Sequence, residues 1–191
     1  MVMVCAEEAR VEADLRGGAL RCPGCDGGLG PWGRARERVI RGVGRLRPRR
    51  AKCRACSRTH VLLPEVCLLR RRDAVAVIGA ALAARAAGAG HRPIAGRLGV
   101  PKDTVRGWLR RFARDAEAIR VHFSRCAFAL DPELGAVAPA GGAFADAVAA
   151  VGVAARAFVL RFGPRDAWPV VAVLSGGVLL CNTSCPFPVV P

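Results

Sequence analysis

The chain of 191 residues contains no tyrosine, only two lysines (Lys52 and Lys102), and 15 acidic residues against 30 basic ones. The shortage of acids leaves a net charge of +15, and a field of that sign attracts polyanions such as nucleic acid or an anionic membrane surface. Because tyrosine is missing while alanine, glycine, proline and valine abound, part of the arginine excess reflects a GC-rich genome. Its distribution is therefore more informative than its amount. Between Trp32 and Arg72 there are 14 basic residues and two acids, Glu37 and Glu65, so this window carries +12 of the total. A secretory signal is also missing, since MVMVCAEEAR has neither a basic start nor a long apolar stretch and acids follow at once. The longest apolar run near the C-terminus, Trp168 to Cys181, is broken by Pro169, Ser175 and a glycine pair, and falls short of the ~20 residues that span a bilayer. These absences predict a cytoplasmic protein without a membrane partner, in a compartment that keeps thiols reduced.

With 52% hydrophobic and 24% charged residues there is material for a core, and the length allows one ordinary domain or two to three small ones. Shifts in composition divide the chain. Residues 1–19 form an acidic, helical lead-in ending at Gly17-Gly18. Residues 20–66 carry cysteine pairs, glycine turns and alternating arginine and apolar residues, the pattern of short strands. Residues 73–120 are helical, opening with an alanine-rich segment that has Asp73 as N-cap and Gly88 or Gly90 as stop. Residues 121–142 read as a linker, with DPELGAVAPAGG at its end. In residues 143–191 a helix is expected from Ala143 to Phe162, followed by strands at Val170 to Leu174 and Val178 to Cys181 around Gly176-Gly177. The fold class is then α+β, mostly α: a small β ribbon, a helical domain and a mixed α/β tail.

Nine cysteines in a reducing compartment read as metal ligands where they are paired. Cys22-Pro-Gly-Cys25 and Cys53-Arg-Ala-Cys56 form two CxxC motifs separated by 27 residues. Each motif puts two thiolates on a tight knuckle. Two knuckles joined by a β-hairpin, with arms Arg34 to Ile40 and Leu46 to Lys52 around Gly42 and Gly44, supply the tetrahedral four-sulfur set that zinc prefers. A closed four-thiolate shell leaves no open position, so one structural Zn2+ is expected rather than a catalytic one. His60 is expected on a strand facing solvent or phosphate, and Cys5, Cys67, Cys126, Cys181 and Cys185 as plain buried thiols. Cys181 and Cys185 form a second metal pair only with distant partners.

His91 to Trp108 fits a helix-turn-helix with Gly99 at the turn. Ala95 is the small residue between the helices, Ile94 and Leu98 face the core, and Val105, Trp108, Leu109 and Phe112 form a buried stripe. Pro101 suits the first turn of the second helix. The opposite face then presents Lys102, Asp103, Arg106 and Arg110 to base edges in a major groove. Thr104, Arg111, Arg114, Arg92 and Arg97 are placed to reach phosphates, which position a protein without reading sequence.

The order CPGC, an arginine-rich hairpin, CRAC with SRTHVLLP, then IAGRLGVPKDTVRGWLRRF resembles the actinobacterial zinc-ribbon plus helix-turn-helix proteins that accompany insertion sequences, and the N-terminal DNA-binding halves of some transposases. The resemblance covers roughly residues 20–115, and GGVLLCNTSCPFP is similar to the tail of the stand-alone proteins. It implies sequence-specific binding of double-stranded DNA in a mobile-element setting, as a transposition-associated protein or a transcriptional regulator of nucleoid location, with a separate transposase subunit as a further partner. It does not imply catalysis. An RNase-H-like transposase needs three carboxylates for two metal ions, whereas Asp131, Glu133, Asp146 and Asp166 are the only acids after Arg120. No enzyme is therefore expected. The competing readings are a truncated or accessory transposase or recombinase subunit and a protein-interaction module.

Overall fold

The computed structural model describes residues 1–134, 138–180 and 187. The chain is α+β: an N-terminal sheet carries a cysteine cluster, and a helical domain follows. Strand β1 (Val2–Val4) leads into helix α1 (Glu8–Arg16), and β2 (Leu29–Arg34), β3 (Arg38–Ile40), β4 (Gly44–Leu46), β5 (Arg49–Cys53) and β6 (Thr59–Pro64) complete the β region. The sheet order is β1-β6-β5-β2, with β1 parallel to β6 in the register Val2↔Leu62 and the other pairs antiparallel. Residues 1–19 are thus part of this body, because β1 extends the sheet and α1 buries Val11 and Leu15 beside Leu29, Ala51 and Leu62. Glu8 and Glu12 of α1 pair with Arg34 and Arg49, which ties the helix to the hairpin.

The hairpin between the cysteine pairs is longer than its sequence suggests. Its base is β2 on β5, starting at Leu29↔Cys53, and its tip is a separate two-stranded ribbon of β3 on β4 with Ile40↔Gly44. Pro48 interrupts the ladder between them, since it has no N–H to donate, although its carbonyl accepts from Ala35 N–H at 2.8 Å.

Among the described residues six helices follow: α2 (Val75–Ala86), α3 (His91–Leu98), α4 (Lys102–Arg114), α5 (Ala116–Leu130), α6 (Ala143–Phe162) and α7 (Ala167–Leu174). They share one apolar core that runs from Leu68 and Ile78 through Trp108 and Phe112 to Phe123, Val151 and Val171. Helix α6 packs along α5 through a stripe of small residues, Ala147, Ala150 and Ala154. The helix has 20 residues and contains an 18-residue stretch of mean hydropathy 1.8, long and apolar enough to cross a membrane by length and composition alone.

Three expectations are corrected. The interval 121–142 is helical as far as Leu130, because Phe123 and Ala127 are fully buried and hold α5 in the core. Val170 to Leu174 is not a strand but lies in α7, where Val170, Val171 and Ala172 are buried and Trp168 covers Gly79 of α2. The segment is apolar on every side and has no readable period, so tertiary packing decides its state. Val178 to Leu180 forms no strand, and the remainder of that expected strand, like Cys181 and Cys185, lies outside the described residues. Third, Asp73 does not cap α2. The helix starts after Ala74 with no side-chain cap, and Asp73 is buried in an ion pair with Arg41, Oδ1 to Nη1 3.2 Å.

Candidate metal centre and nucleic-acid interface

Each CxxC motif folds into a tight turn. Cys22 O accepts the N–H of Asp26 at 2.8 Å, and Cys53 O accepts that of Ser57 at 3.1 Å. Asp26 and Ser57, each just after the second cysteine of its pair, are left-handed, with φ 57° and 59°. The two turns are therefore built alike. Gly27 lets them meet, because a Cβ there would lie 2.8 Å from Ala55 Cβ and 3.0 Å from Cys53 Sγ.

The four sulfurs of Cys22, Cys25, Cys53 and Cys56 lie within 4.8 Å of one another. Cys22 and Cys56 are 3.7 Å apart, and Cys25 and Cys53 3.5 Å. These separations are far beyond a disulfide bond. They match the ~3.8 Å edge of a tetrahedron whose metal–sulfur bonds are ~2.3 Å. Cys22 and Cys53 are buried while Cys25 and Cys56 are exposed. Backbone N–H groups of Cys56 and Ala55 hold the Cys53 thiol down at about 6, against the effect of burial. The Gly27 backbone hydrogen bond lowers the Cys25 pKa, but the facing sulfurs of Cys56, Cys53 and Cys22 together with burial push it up to about 12. Four close sulfurs cannot all be ionised without a cation among them, so the cluster is suited to a metal ion.

His60 departs from its expected place. It is buried, and its Nε2 lies 3.3 Å from Cys22 Sγ. Burial depresses its pKa, helped by the charges of the Met1 amino group and Arg58, which keeps the ring neutral. The ring thus stands within hydrogen-bond distance of Cys22 Sγ, outside the set of four sulfurs. Among the other thiols Cys67 is fully buried and Cys5 and Cys126 are half-buried.

In the helical domain, α3 ends at Gly99 in the left-handed conformation (φ 61°, ψ 32°), and Val100 N–H donates back to Ala95 O at 3.1 Å. Ile94, Ala95 and Val100 are buried and Leu98 is half-buried. Pro101 is the N-cap of α4 rather than its first residue, with its carbonyl accepting from Thr104 and Val105. Val105, Trp108, Leu109 and Phe112 are the buried stripe of α4, each contributing about 1.5–3 kcal/mol by leaving water.

That stripe turns Lys102, Asp103, Arg106 and Arg110 to solvent, with Arg106 Nη2 3.3 Å from Asp103 Oδ1. Arg92 and Arg97 are exposed on α3. Thr104 and Arg111 are half-buried, and Arg111 Nη1 donates to Gly107 O at 3.1 Å. Arg114 makes two hydrogen bonds to Asp115, at 2.9 and 2.8 Å. Arg85, at the end of α2, lines one shallow pocket with His91, Arg106, Arg110 and Phe144. Arg85 and Phe144 carry no sequence signal for this position, because only the packing of α2 and α6 around α4 brings them there.

Residues 73–119 match the family model of the homeodomain-like domain. The match covers α2, α3, α4 and the start of α5, so this part of the chain is a helix-turn-helix domain, which implies DNA binding. No curated protein and no solved structure matches the chain.

Proposed function

We propose that the protein is a sequence-specific binder of double-stranded DNA, stabilised by one structural Zn2+ on Cys22, Cys25, Cys53 and Cys56. The observation that carries this reading is the exposed face of α4 in a helix-turn-helix that matches a homeodomain-like family. Lys102, Asp103, Arg106 and Arg110 enter the major groove, where homeodomain-type third helices read base edges. Thr104, Arg111, Arg114, Arg92 and Arg97 contact phosphates, with Arg111 and Arg114 leaving Gly107 O and Asp115 to do so. The metal is zinc because a closed set of four thiolates selects a soft, tetrahedral ion without redox chemistry. When bound it supplies folding energy to residues 20–66 and no reaction. The role is transposition-associated or regulatory, in the cytoplasm, as the resemblance of residues 20–115 implies.

Arg106 gives the direct test. Its guanidinium can donate two parallel hydrogen bonds to guanine O6 and N7. Arg106→Ala should cost about 1–3 kcal/mol on a site selected from random duplexes and relax the choice at one base position, with far less effect on random DNA. The fold should survive, since Arg106 is exposed. Equal losses on selected and random duplexes would make Arg106 a phosphate contact.

A further inference from the structure

We propose that an arginine groove between the β3–β4 ribbon and residues 70–72 grips a second stretch of phosphate backbone on the duplex that α4 reads, about half a helical turn away. The inference rests on the DNA-binding reading above. Arg36, Glu37 and Arg38 line one wall of the groove and Arg70, Arg71 and Arg72 the other. The single acid is already engaged, with Glu37 Oε1 3.2 Å from Arg45 Nη1.

The hairpin's other ion-paired arginines serve the fold: Arg34 and Arg49 hold α1, and Arg41 holds Asp73. Arg71 donates to the Leu180 carbonyl. Arg36, Arg70 and Arg72 differ. All three are exposed, and among the described residues none has a carboxylate partner. Three unpaired guanidinium groups on facing walls form a site for an extended anion.

The walls are fixed to each other. Arg41 N–H donates to Arg72 O at 2.7 Å, and Ala74 N–H donates to Arg41 O at 2.8 Å. Gly42, at φ 85°, lies against α2 so closely that a Cβ would stand 3.2 Å from both Ala74 Cβ and Val77 Cγ2. Arg70 is held left-handed at φ 58°, a conformation unfavourable for a residue with a side chain. The groove is therefore preformed rather than assembled by a mobile hairpin.

Its position favours DNA over an unrelated anion. The ribbon sits at the N-terminal end of α2, whereas Arg85 at the other end shares a pocket with Arg106 and Arg110. Twelve residues of helix span about 18 Å. A full turn of B-DNA is about 34–36 Å, so the length of α2 is close to the half turn that the proposal assigns to the two basic surfaces.

The test uses the full chain with Arg36, Arg70 and Arg72 changed together to Gln, and compares affinity for the selected duplex over a range of salt, together with a hydroxyl-radical footprint. Each lost phosphate contact lowers the salt slope by ~0.9, so the slope should fall by about 2 to 3. The footprint should shorten by about half a turn on one flank, and base preference should persist. If the triple variant fails to fold, Arg72→Gln alone should lower the slope by about 1. An unchanged slope and footprint, while Arg106→Ala still relaxes base choice, would overturn the groove and leave the proposed function standing. A wild-type chain that binds no duplex would remove both.

Discussion

His60 shows at the scale of one residue what spacing does and does not reveal. The four cysteines are legible because CxxC fixes two sulfurs on one turn and needs only a second turn to meet it. His60 is not, because the strand register that aims it at Cys22 depends on β1 and β5 pairing on either side of β6. A ring that donates to a ligating thiolate orients it, and loss of such partners costs 10–100-fold in metal affinity. Zinc analysis should therefore give about one ion per wild-type chain, and competition with a chelator should show His60→Ala binding it ~10–100-fold more weakly. A near-zero zinc content in a fully folded ribbon would contradict the assignment. Asp73 supports a prediction of another kind. Burial raises its pKa above the ordinary 3.8, more than Arg41 and Arg71 lower it. The native state then holds the proton more tightly than the unfolded chain, so the contribution is fully present below pH 3.8 and is lost as pH rises through the raised value. The melting temperature of Asp73→Asn relative to wild type should accordingly rise with pH across the acid range. A constant difference would show that the Arg41 pair balances the burial.

At the scale of elements, α3 and α4 could be read because each local signal agreed: a turn glycine, a small contact residue and an apolar stripe at helical spacing. Helix α7 could not, since Trp168 to Leu174 is apolar on all sides and owes its helical state to α2. Gly79 is the reason the two helices fit. A Cβ at this position would fall 1.9 Å from Trp168 Cδ2 and 2.0 Å from Cε2. Gly79→Ala would normally favour a helix by about 1 kcal/mol, yet here the indole must move. Overpacking of this kind costs about 1–3 kcal/mol, so the variant should unfold at lower denaturant, with a changed Trp168 fluorescence. Unaltered stability and emission would mean that α7 does not seat on α2 as described. The hairpin was legible only in part. Its glycine turn was evident from the sequence, whereas the break at Pro48 and the docking of the ribbon on α2 arise from contacts far apart in the chain.

For the whole molecule, the charge map and the fold support one another. The window from Trp32 to Arg72 that holds most of the net charge runs through the hairpin, β6 and residues 65–72, and its arginines divide into those that pair within the fold and those that face outward. The β3–β4 ribbon is joined to the start of α2 through Arg41, Arg72 and Asp73. Basic charge alone gives non-specific affinity that falls steeply with salt. A helix that reads bases adds a difference between sequences. The decisive measurement is the ratio of dissociation constants for a selected duplex and a scrambled one, taken with the zinc-loaded chain at physiological salt. The account predicts the selected site to bind at least ~10³-fold more tightly, and equal affinities for the two duplexes would contradict it.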